Sequence, residues 1–191
     1  MMNWNTLIEV FLKKNSELNL SAIRDKEWVR VKHIEDSLKI LETWILKSWM
    51  KVADVWTWWG FPLMPMAISC PNIEFTWIDS VKKKTVAVNE MLETLGVKNA
   101  KVIWTRMEDY KVEQFDVITA RAVAYSDKLL KWVYPLLKKW WYFLFMKQVI
   151  QEEREILVKL CKKYHLGIEQ ELKYRLFDDD IDRVVYVIKK Y

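Results

Sequence analysis

The sequence predicts an α/β fold in which helices cover both faces of a mostly parallel β-sheet. Short apolar runs alternate with longer amphipathic stretches along most of the 191 residues, a pattern typical of parallel strands joined by helices. Polar residues and tight turns follow several predicted strands, which is where open α/β sheets bind their ligands. The length suits one domain, so we expect a helical extension at residues 1–48 and one α/β domain at residues 49–191.

The spacing of apolar residues defines the elements in order. Residues 3–18 have the period of an amphipathic helix, and residues 26–47 are mainly helical in pattern. Further helices are predicted at 62–69, 81–95, 126–138 and 150–164. The predicted strands are 51–55, 74–78, 100–104, 115–119, 141–147, one near 168–176, and 183–189. The tail through 183–188 is expected to add antiparallel strands.

The composition narrows the class of protein. No stretch of about 18 apolar residues exists, and the N-terminus lacks the features of a secretory signal, so we expect a cytoplasmic protein without a membrane span. Cys70 and Cys161 form no metal or redox pair, and no His/Cys/carboxylate cluster suggests a metal. The net charge of +5 is compatible with a nucleic-acid partner but does not require one.

Glycine and tryptophan occur in unusual numbers. The chain has 3 Gly and 12 Trp, whereas an average usage of about 7% would give roughly 13 Gly. Trp56, Trp58 and Trp59 follow the first strand, and Trp140 and Trp141 follow a helix that ends in two lysines, positions that usually require Gly. We therefore hypothesise that UGA codons meaning glycine have been read as tryptophan.

The suspected glycines at turns share this local pattern and are Trp49, Trp56, Trp58, Trp59, Trp140 and Trp141, with Trp104 and Trp77 as further candidates. The remaining four have helical spacing and are interpreted as true tryptophans: Trp4, Trp28, Trp44 and Trp132. The alternative is a Trp-rich core or a deliberately altered sequence. UGG codons at positions 56, 58 and 140 would contradict the recoding hypothesis.

Two carboxylates mark the expected ligand edge of the sheet. Asp54 ends the first strand and precedes a turn through Gly60 in which glycines would let the backbone approach a nucleoside closely. Asp79 ends the second strand, where a carboxylate can bind ribose hydroxyls or cap the following helix. This pair fits S-adenosylmethionine (SAM) or NAD. The turn lacks a Gly-Lys-Ser/Thr ending, which disfavours a P-loop.

Two later loops complete the candidate site. Met107 and Glu108 follow the third strand and can cover an adenine, with a solvated turn as the alternative. Arg121 interrupts a small apolar run after the fourth strand and is expected to project into the cleft. No Cys lies near these loops, which disfavours covalent attack on a pyrimidine.

Taken together, these stretches resemble the bacterial 16S ribosomal RNA guanine-N7 methyltransferases, the RsmG or glucose-inhibited division protein B family. The matching stretches occur in the same order over nearly the whole chain: NLSAIRD at 19–25, KHIEDS at 32–37, VADVWTWWGFP at 52–62, IDS at 78–80 with Lys83, RME at 106–108, TARAVA at 119–124 and LFMK at 144–147. Leu63 and Gln148 stand where the family usually has Gly, and recoding does not explain them.

The resemblance implies a class I SAM-dependent methyltransferase fold with a Rossmann-like, mostly parallel seven-stranded sheet. It implies SAM as cofactor and a guanine of 16S ribosomal RNA, free or in the small ribosomal subunit, as substrate. The SAM contacts that it implies are position 56, Phe61, Met107, Glu108 and Arg121, to which the general logic of the fold adds Asp54, Trp58, Gly60 and Asp79.

Guanine N7 carries an exposed lone pair, so the implied reaction needs no general base and depends on positioning and electrostatics. Arg121 and Lys147 are the candidates for orienting the base or the methionine carboxylate. His33 is a candidate contact or a packed histidine, and the lysines at 82–84 are candidate phosphate contacts or a solvated helix face. A monomer without a metal is expected.

Two rival interpretations remain open at this point. One is a non-catalytic RNA-binding module whose cofactor site is occluded by indoles. The other is an NAD or small-molecule enzyme with the same fold.

Overall fold

The computed structural model describes residues 4–55, 59–121, 126–177 and 179–191. Its seven strands belong to one sheet and have these bounds: β1 Lys51–Val55, β2 Glu74–Asp79, β3 Ala100–Trp104, β4 Phe115–Arg121, β5 Leu137–Gln148, β6 Leu166–Arg175 and β7 Asp182–Lys190. Their order is β3-β2-β1-β4-β5-β7-β6. Strands β1 to β5 pair in parallel, and β7 is antiparallel to both β5 and β6. The predicted seven-stranded, mostly parallel sheet is confirmed.

The helices occur before and between these strands. They are α1 Trp4–Leu18, α2 Lys26–Val29, a π-helical segment Arg30–Glu35, α3 Asp36–Leu38, a 3₁₀ turn Lys39–Thr43, α4 Leu63–Ser69, α5 Lys82–Thr94, a 3₁₀ turn Met107–Asp109, α6 Ser126–Val133, a 3₁₀ turn Tyr134–Leu136 and α7 Gln151–Lys163. The predicted N-terminal helical region is therefore present, but it is broken into several pieces.

One predicted helix boundary is wrong. The helix expected over 126–138 ends at Val133, and β5 starts at Leu137 instead of residue 141. Pro135 explains the early end, because proline has no backbone N–H to continue the helix. Trp140 therefore lies inside β5, where the pairing with β4 jumps from Phe115–Leu137 to Val117–Tyr142 and the intervening residues bulge out.

Two buried apolar clusters lie on opposite faces of the sheet. Val52 belongs to one and Ala53 to the other, as alternation along a strand requires. Helices α1, α4 and α5 cover the first face, and α6 and α7 cover the second. Because Leu7 and Phe11 of α1 are almost fully buried in the first cluster, the N-terminal helices share their core with the sheet. The domain boundary at residue 48 stays a prediction.

Candidate functional site

The strand order reverses between β1 and β4, and ligands of open α/β sheets bind at this point. Val55 at the end of β1 is in register with Ile78 on one side and with Ala120 on the other. Asp79 and Arg121 each follow directly after these partners. The fold therefore brings two of the predicted site residues to the same edge of the sheet, on either side of the turn after β1.

The turn after β1 is described from residue 59 onwards, so the predicted positions Trp56 and Trp58 lie outside the described residues. Gly60 has a φ of 90°, a backbone conformation that favours glycine, and a Cβ there would also come within 2.7 Å of Met64 Cε and displace the end of that side chain. Asp54 lies below the turn and is fully buried. Its Oδ1 accepts a hydrogen bond of 2.8 Å from Thr119 Oγ1, which ties β1 to β4.

Asp79 lies in a cleft of about 180 Å³ together with Met107 and Glu108. Its Oδ1 accepts a hydrogen bond of 2.7 Å from the Val81 N–H at the start of α5. Its Oδ2 is buried, lies 3.7 Å from Lys84 Nζ and has no hydrogen-bond partner in the described part of the chain. One oxygen thus serves the helix start, and the other remains available for a ligand hydroxyl. Beyond Met107 and Glu108 the surface continues into a second cleft of about 890 Å³.

Arg121 at the end of β4 is held by the N-terminal helical region. Its Nε lies 2.9 Å from Asp36 Oδ2, and its Nη2 donates a hydrogen bond of 2.5 Å to the Lys32 carbonyl. Its Nη1 is buried and has no hydrogen-bond partner among the residues described. The sequence predicted only that Arg121 projects into the cleft. The structure shows that two nitrogens of its guanidinium are bound by the protein and that the third has no hydrogen-bond partner among the described residues.

Asp36 is also bound from the last two strands. Its Oδ1 accepts a hydrogen bond of 2.7 Å from the Tyr174 hydroxyl of β6 and lies 3.6 Å from Arg183 Nε of β7. Burial, and then the Asp36 carboxylate, raise the pKa of Tyr174, so this phenol stays protonated and donates. We did not predict Asp36, Tyr174 or Arg183 as site residues. The only signal in the sequence was that Asp36 belongs to the KHIEDS stretch.

His33 packs against the turn after β1. Its ring stacks on Phe61 at 4.8 Å between centroids, and Phe11 meets both rings edge-on. Burial, and then the nearby Arg121 charge, lower the pKa of His33 to about 3, so the ring is neutral. The structure thus places His33 in the core, which is the packing alternative. The Phe61 ring is also fully buried.

Comparisons with known proteins agree with this geometry. The family model described as "GidB: rRNA small subunit methyltransferase G" matches residues 2–177. The chain belongs to this family. A "Ribosomal RNA small subunit methyltransferase G" of Thermoanaerobacter sp. (strain X514) is 33% identical over 98% of the chain and 85% of the relative. The protein of the same name from Acetivibrio thermocellus is 35% identical, over 96% and 77%.

Solved structures show the same fold as this family member. A SAM-dependent methyltransferase from Aquifex aeolicus superposes with a TM-score of 0.68 at 18% identity, covering 93% of this chain and 97% of the other. The ribosomal protein L11 methylase of Lactobacillus delbrueckii subsp. bulgaricus gives 0.67 at 14%, covering 84% and 79%. The class I SAM-dependent methyltransferase fold is confirmed.

Lys147, the second residue predicted to orient substrate, lies elsewhere in this family member. Its Nζ is 2.5 Å from Glu153 Oε2 of α7. Side chains two residues apart on a strand lie on the same face, so Lys147 shares a face of β5 with residues 143 and 145, which belong to the cluster under α6 and α7. Arg121 shares a face of β4 with Val117, which belongs to the other cluster. The structure therefore does not bring Lys147 and Arg121 together, and a role for Lys147 stays a prediction.

Several tryptophans have a backbone conformation that suits glycine. Trp49, Trp59 and Trp140, three of the suspected glycines, have φ values of 76°, 48° and 70°. Our interpretation of Trp44 as a helical tryptophan is wrong. The helical region ends at Thr43, and Trp44 follows it with a φ of 60° and an exposed side chain. Trp141 lies in β5 and is not among the described residues with positive φ.

The two further candidates for recoding lie in strands. Trp104 is at the end of β3, and Trp77 is a fully buried residue of β2. Neither is among the described residues with positive φ.

The described residues show neither a metal-binding cluster nor a membrane-spanning helix. They contain no group of three or more His, Cys, Asp or Glu side chains that could hold a metal ion. None of their helices combines the length and the apolar character needed to cross a membrane.

Proposed function

We propose that this chain transfers the methyl group of SAM to N7 of a guanine in 16S ribosomal RNA. The observation that carries the proposal is a pair of buried atoms on either side of β1, in a chain of the small subunit methyltransferase G family. Asp79 Oδ2 is an acceptor and Arg121 Nη1 is a donor, and neither has a hydrogen-bond partner in the described protein. A ribose hydroxyl and a methionine carboxylate are the groups that match them.

Each residue then has a defined task. Asp79 accepts from the ribose, and Met107 and Glu108 form the wall of the adenine cleft. Arg121 holds the carboxylate through Nη1, and the turn through Gly60 brings the backbone close to the cofactor. When bound, SAM supplies an electrophilic methyl group on its sulfonium. Guanine N7 offers a lone pair, so the protein needs no proton acceptor and acts by orientation.

The substrate is proposed to be 16S ribosomal RNA, free or within the small ribosomal subunit, and the enzyme to be a cytoplasmic monomer. The names of the relatives and the net charge of +5 support an RNA partner. We also propose that the tryptophans at positions 49, 56, 58, 59, 140 and 141 stand in place of glycine. The left-handed backbone at 49, 59 and 140 supports this, whereas positions 56 and 58 lie outside the described residues.

A methylation assay tests the activity. The variant with Gly at positions 56, 58, 59, 140 and 141 is incubated with tritiated SAM and with small subunits from a strain that lacks the family enzyme, and N7-methylguanine is mapped by borohydride reduction and aniline cleavage. Label at one guanine that is cleavable in this way is the expected result. Label that does not give cleavage would contradict N7 as the acceptor.

Cofactor binding should depend on the turn after β1. We call the sequence as it stands the tryptophan form, and the variant with Gly at 56, 58, 59, 140 and 141 the glycine form. We expect the glycine form to bind SAM and the tryptophan form to bind it poorly, because an indole at position 56 takes space that the cofactor needs. Isothermal titration calorimetry measures both. If neither form binds SAM while both bind RNA, the chain is the non-catalytic RNA-binding module.

A further inference from the structure

We propose that Asp36 is a positioning residue of the cofactor site: it orients Arg121 so that Nη1 faces the methionine carboxylate. The assignment rests on the proposed function and adds a residue from the N-terminal helical region to the site. Asp36 itself is not expected to touch the cofactor. It acts through the contact between its Oδ2 and Arg121 Nε.

The contacts of Arg121 determine which part of it can meet a ligand. A guanidinium is planar, so fixing two of its nitrogens fixes the third. Asp36 fixes Nε at 2.9 Å, and the Lys32 carbonyl fixes Nη2 at 2.5 Å. The remaining nitrogen, Nη1, is buried without a hydrogen-bond partner in the described structure. The guanidinium held in this way presents one donor, Nη1, in one direction, beside the turn that follows β1.

Asp36 is itself held rigidly. It is almost fully buried, and Tyr174 donates to its Oδ1 at 2.7 Å. Arg183 Nε lies 3.6 Å from the same oxygen, and Arg183 Nη2 donates to Asp179 at 2.7 Å. Two guanidinium groups and two carboxylates therefore balance in charge inside this cluster. A carboxylate that is bound on both oxygens cannot rotate away from Arg121.

The local helix geometry also points to a functional constraint. Lys32 and His33 lie in the π-helical segment, and Asp36 follows it directly. The π-helix is rare, and its single turns within α-helices are frequently found at functional sites. Here one short segment supplies the carbonyl for Arg121, the ring that covers Phe61, and the carboxylate for Arg121. Packing of the helix alone would not require that combination.

Substitutions at Asp36 separate positioning from folding. Asp36→Asn keeps the shape and removes the charge, Asp36→Glu keeps the charge, and Tyr174→Phe removes one hydrogen bond to Asp36. Glu171→Gln is the matched control, because Glu171 forms a bidentate pair with Arg154 of α7, the helix that covers the other face of the sheet. All are made in the full chain, in both the tryptophan and the glycine form. Melting temperatures are recorded first, and all binding is measured well below them.

The readouts are the Kd for S-adenosylhomocysteine from calorimetry, and the KM values for SAM and for small subunits. We expect Asp36→Asn to raise the Kd and the KM for SAM at least on the order of 10-fold, the size of effect that follows when a hydrogen bond to a charged group is lost. The KM for small subunits should not change. Asp36→Glu should recover part of the loss, Tyr174→Phe should show a smaller loss, and Glu171→Gln should match the parent.

Three results would overturn the assignment. An unchanged Kd in folded Asp36→Asn would show that its role is structural only. A rise in the KM for small subunits with an unchanged KM for SAM would place Arg121 on the RNA. Absence of cofactor binding by both parent forms would contradict the proposed function itself and the assignment with it, and the parent measurement identifies that case.

Discussion

Four of the tryptophans that the structure describes have a backbone conformation that a residue with a Cβ disfavours. Trp44, Trp49, Trp59 and Trp140 all have φ between 48° and 76°. The left-handed conformation costs roughly 1–2 kcal/mol for a residue with a Cβ, and a bulky residue gains nothing from it locally. The side chains of Trp44 and Trp140 are mostly exposed, so little packing offsets this cost. The conformation at these positions is the one that glycine adopts readily.

Replacing these residues by glycine should stabilise the protein. We expect Trp44→Gly and Trp140→Gly each to raise the free energy of unfolding by about 1 kcal/mol, because the strain disappears and little burial is lost. Urea denaturation measures the change. Trp77→Gly is the contrasting variant: Trp77 is fully buried, so its loss should cost at least about 3–5 kcal/mol. Stabilisation by Trp77→Gly, or destabilisation by both of the others, would refute this account.

At the same scale, prediction from sequence worked where chemistry is local. Asp79 ends β2, Met107 and Glu108 lie in the loop after β3, and the structure brings all three into one cleft. Asp36 could not be found this way, because its partners Arg121, Tyr174 and Arg183 are distant in the sequence and no local pattern links them. Trp44 was misread because a residue at the end of a helix has the same spacing as one inside it.

At the scale of elements, helix α5 begins with three positively charged side chains. Lys82, Lys83 and Lys84 occupy its first turn, which contains no acidic residue. The N-terminus of a helix carries a partial positive charge, so cations there are unfavourable. The same turn starts three residues after Asp79 of the candidate site. This arrangement costs helix stability and favours an anionic partner such as the phosphate backbone of RNA.

Reversing one of these charges should therefore have opposite effects on stability and on substrate binding. We expect Lys83→Glu to raise the free energy of unfolding by roughly 0.5 kcal/mol and to raise the KM for small subunits, with the Kd for SAM unchanged. Thermal denaturation and steady-state kinetics measure the two effects. Lys162→Glu, in the last turn of α7, is the control and should lower stability slightly without changing the KM. An unchanged KM for Lys83→Glu would favour a solvated helix face.

Most elements were predictable because their period or their β-branched runs are strong signals. The exception is the junction of α6 and β5, where the apolar pattern continues through Pro135 although the helix cannot. The bulge in β5 that contains Trp140 was equally invisible, since pairing with β4 defines it and the pattern of β5 itself does not.

At the scale of the whole molecule, His33 couples folding to pH. Its pKa falls from 6.5 in the unfolded chain to about 3 in the folded one, mainly because it is buried. Between these values the unfolded chain binds a proton that the folded chain does not. The stability that the neutral His33 contributes is therefore fully present above pH 6.5 and is lost as the pH falls from 6.5 towards 3.

Removing the titration should flatten this dependence. We expect His33→Gln to reduce the slope of unfolding free energy between pH 4.5 and 6 by up to about 1.4 kcal/mol per pH unit. Urea denaturation across that range measures the slope. The chain has two histidines, and His165→Gln is the control because that residue is exposed. A parent slope that His33→Gln leaves intact would show that other groups cause it.

The contact between Asp36 and Tyr174 spans 138 residues of sequence, and Arg183 of the last strand joins the same cluster. During synthesis, Asp36 leaves the ribosome long before either partner exists. The cofactor pocket can therefore reach its final form only after β7 has been made, since its contacts with Asp36 close a loop of more than 138 residues. An unfinished or C-terminally shortened chain of this protein would contain the turn after β1 and the cleft residues, and it would still lack a fixed Arg121.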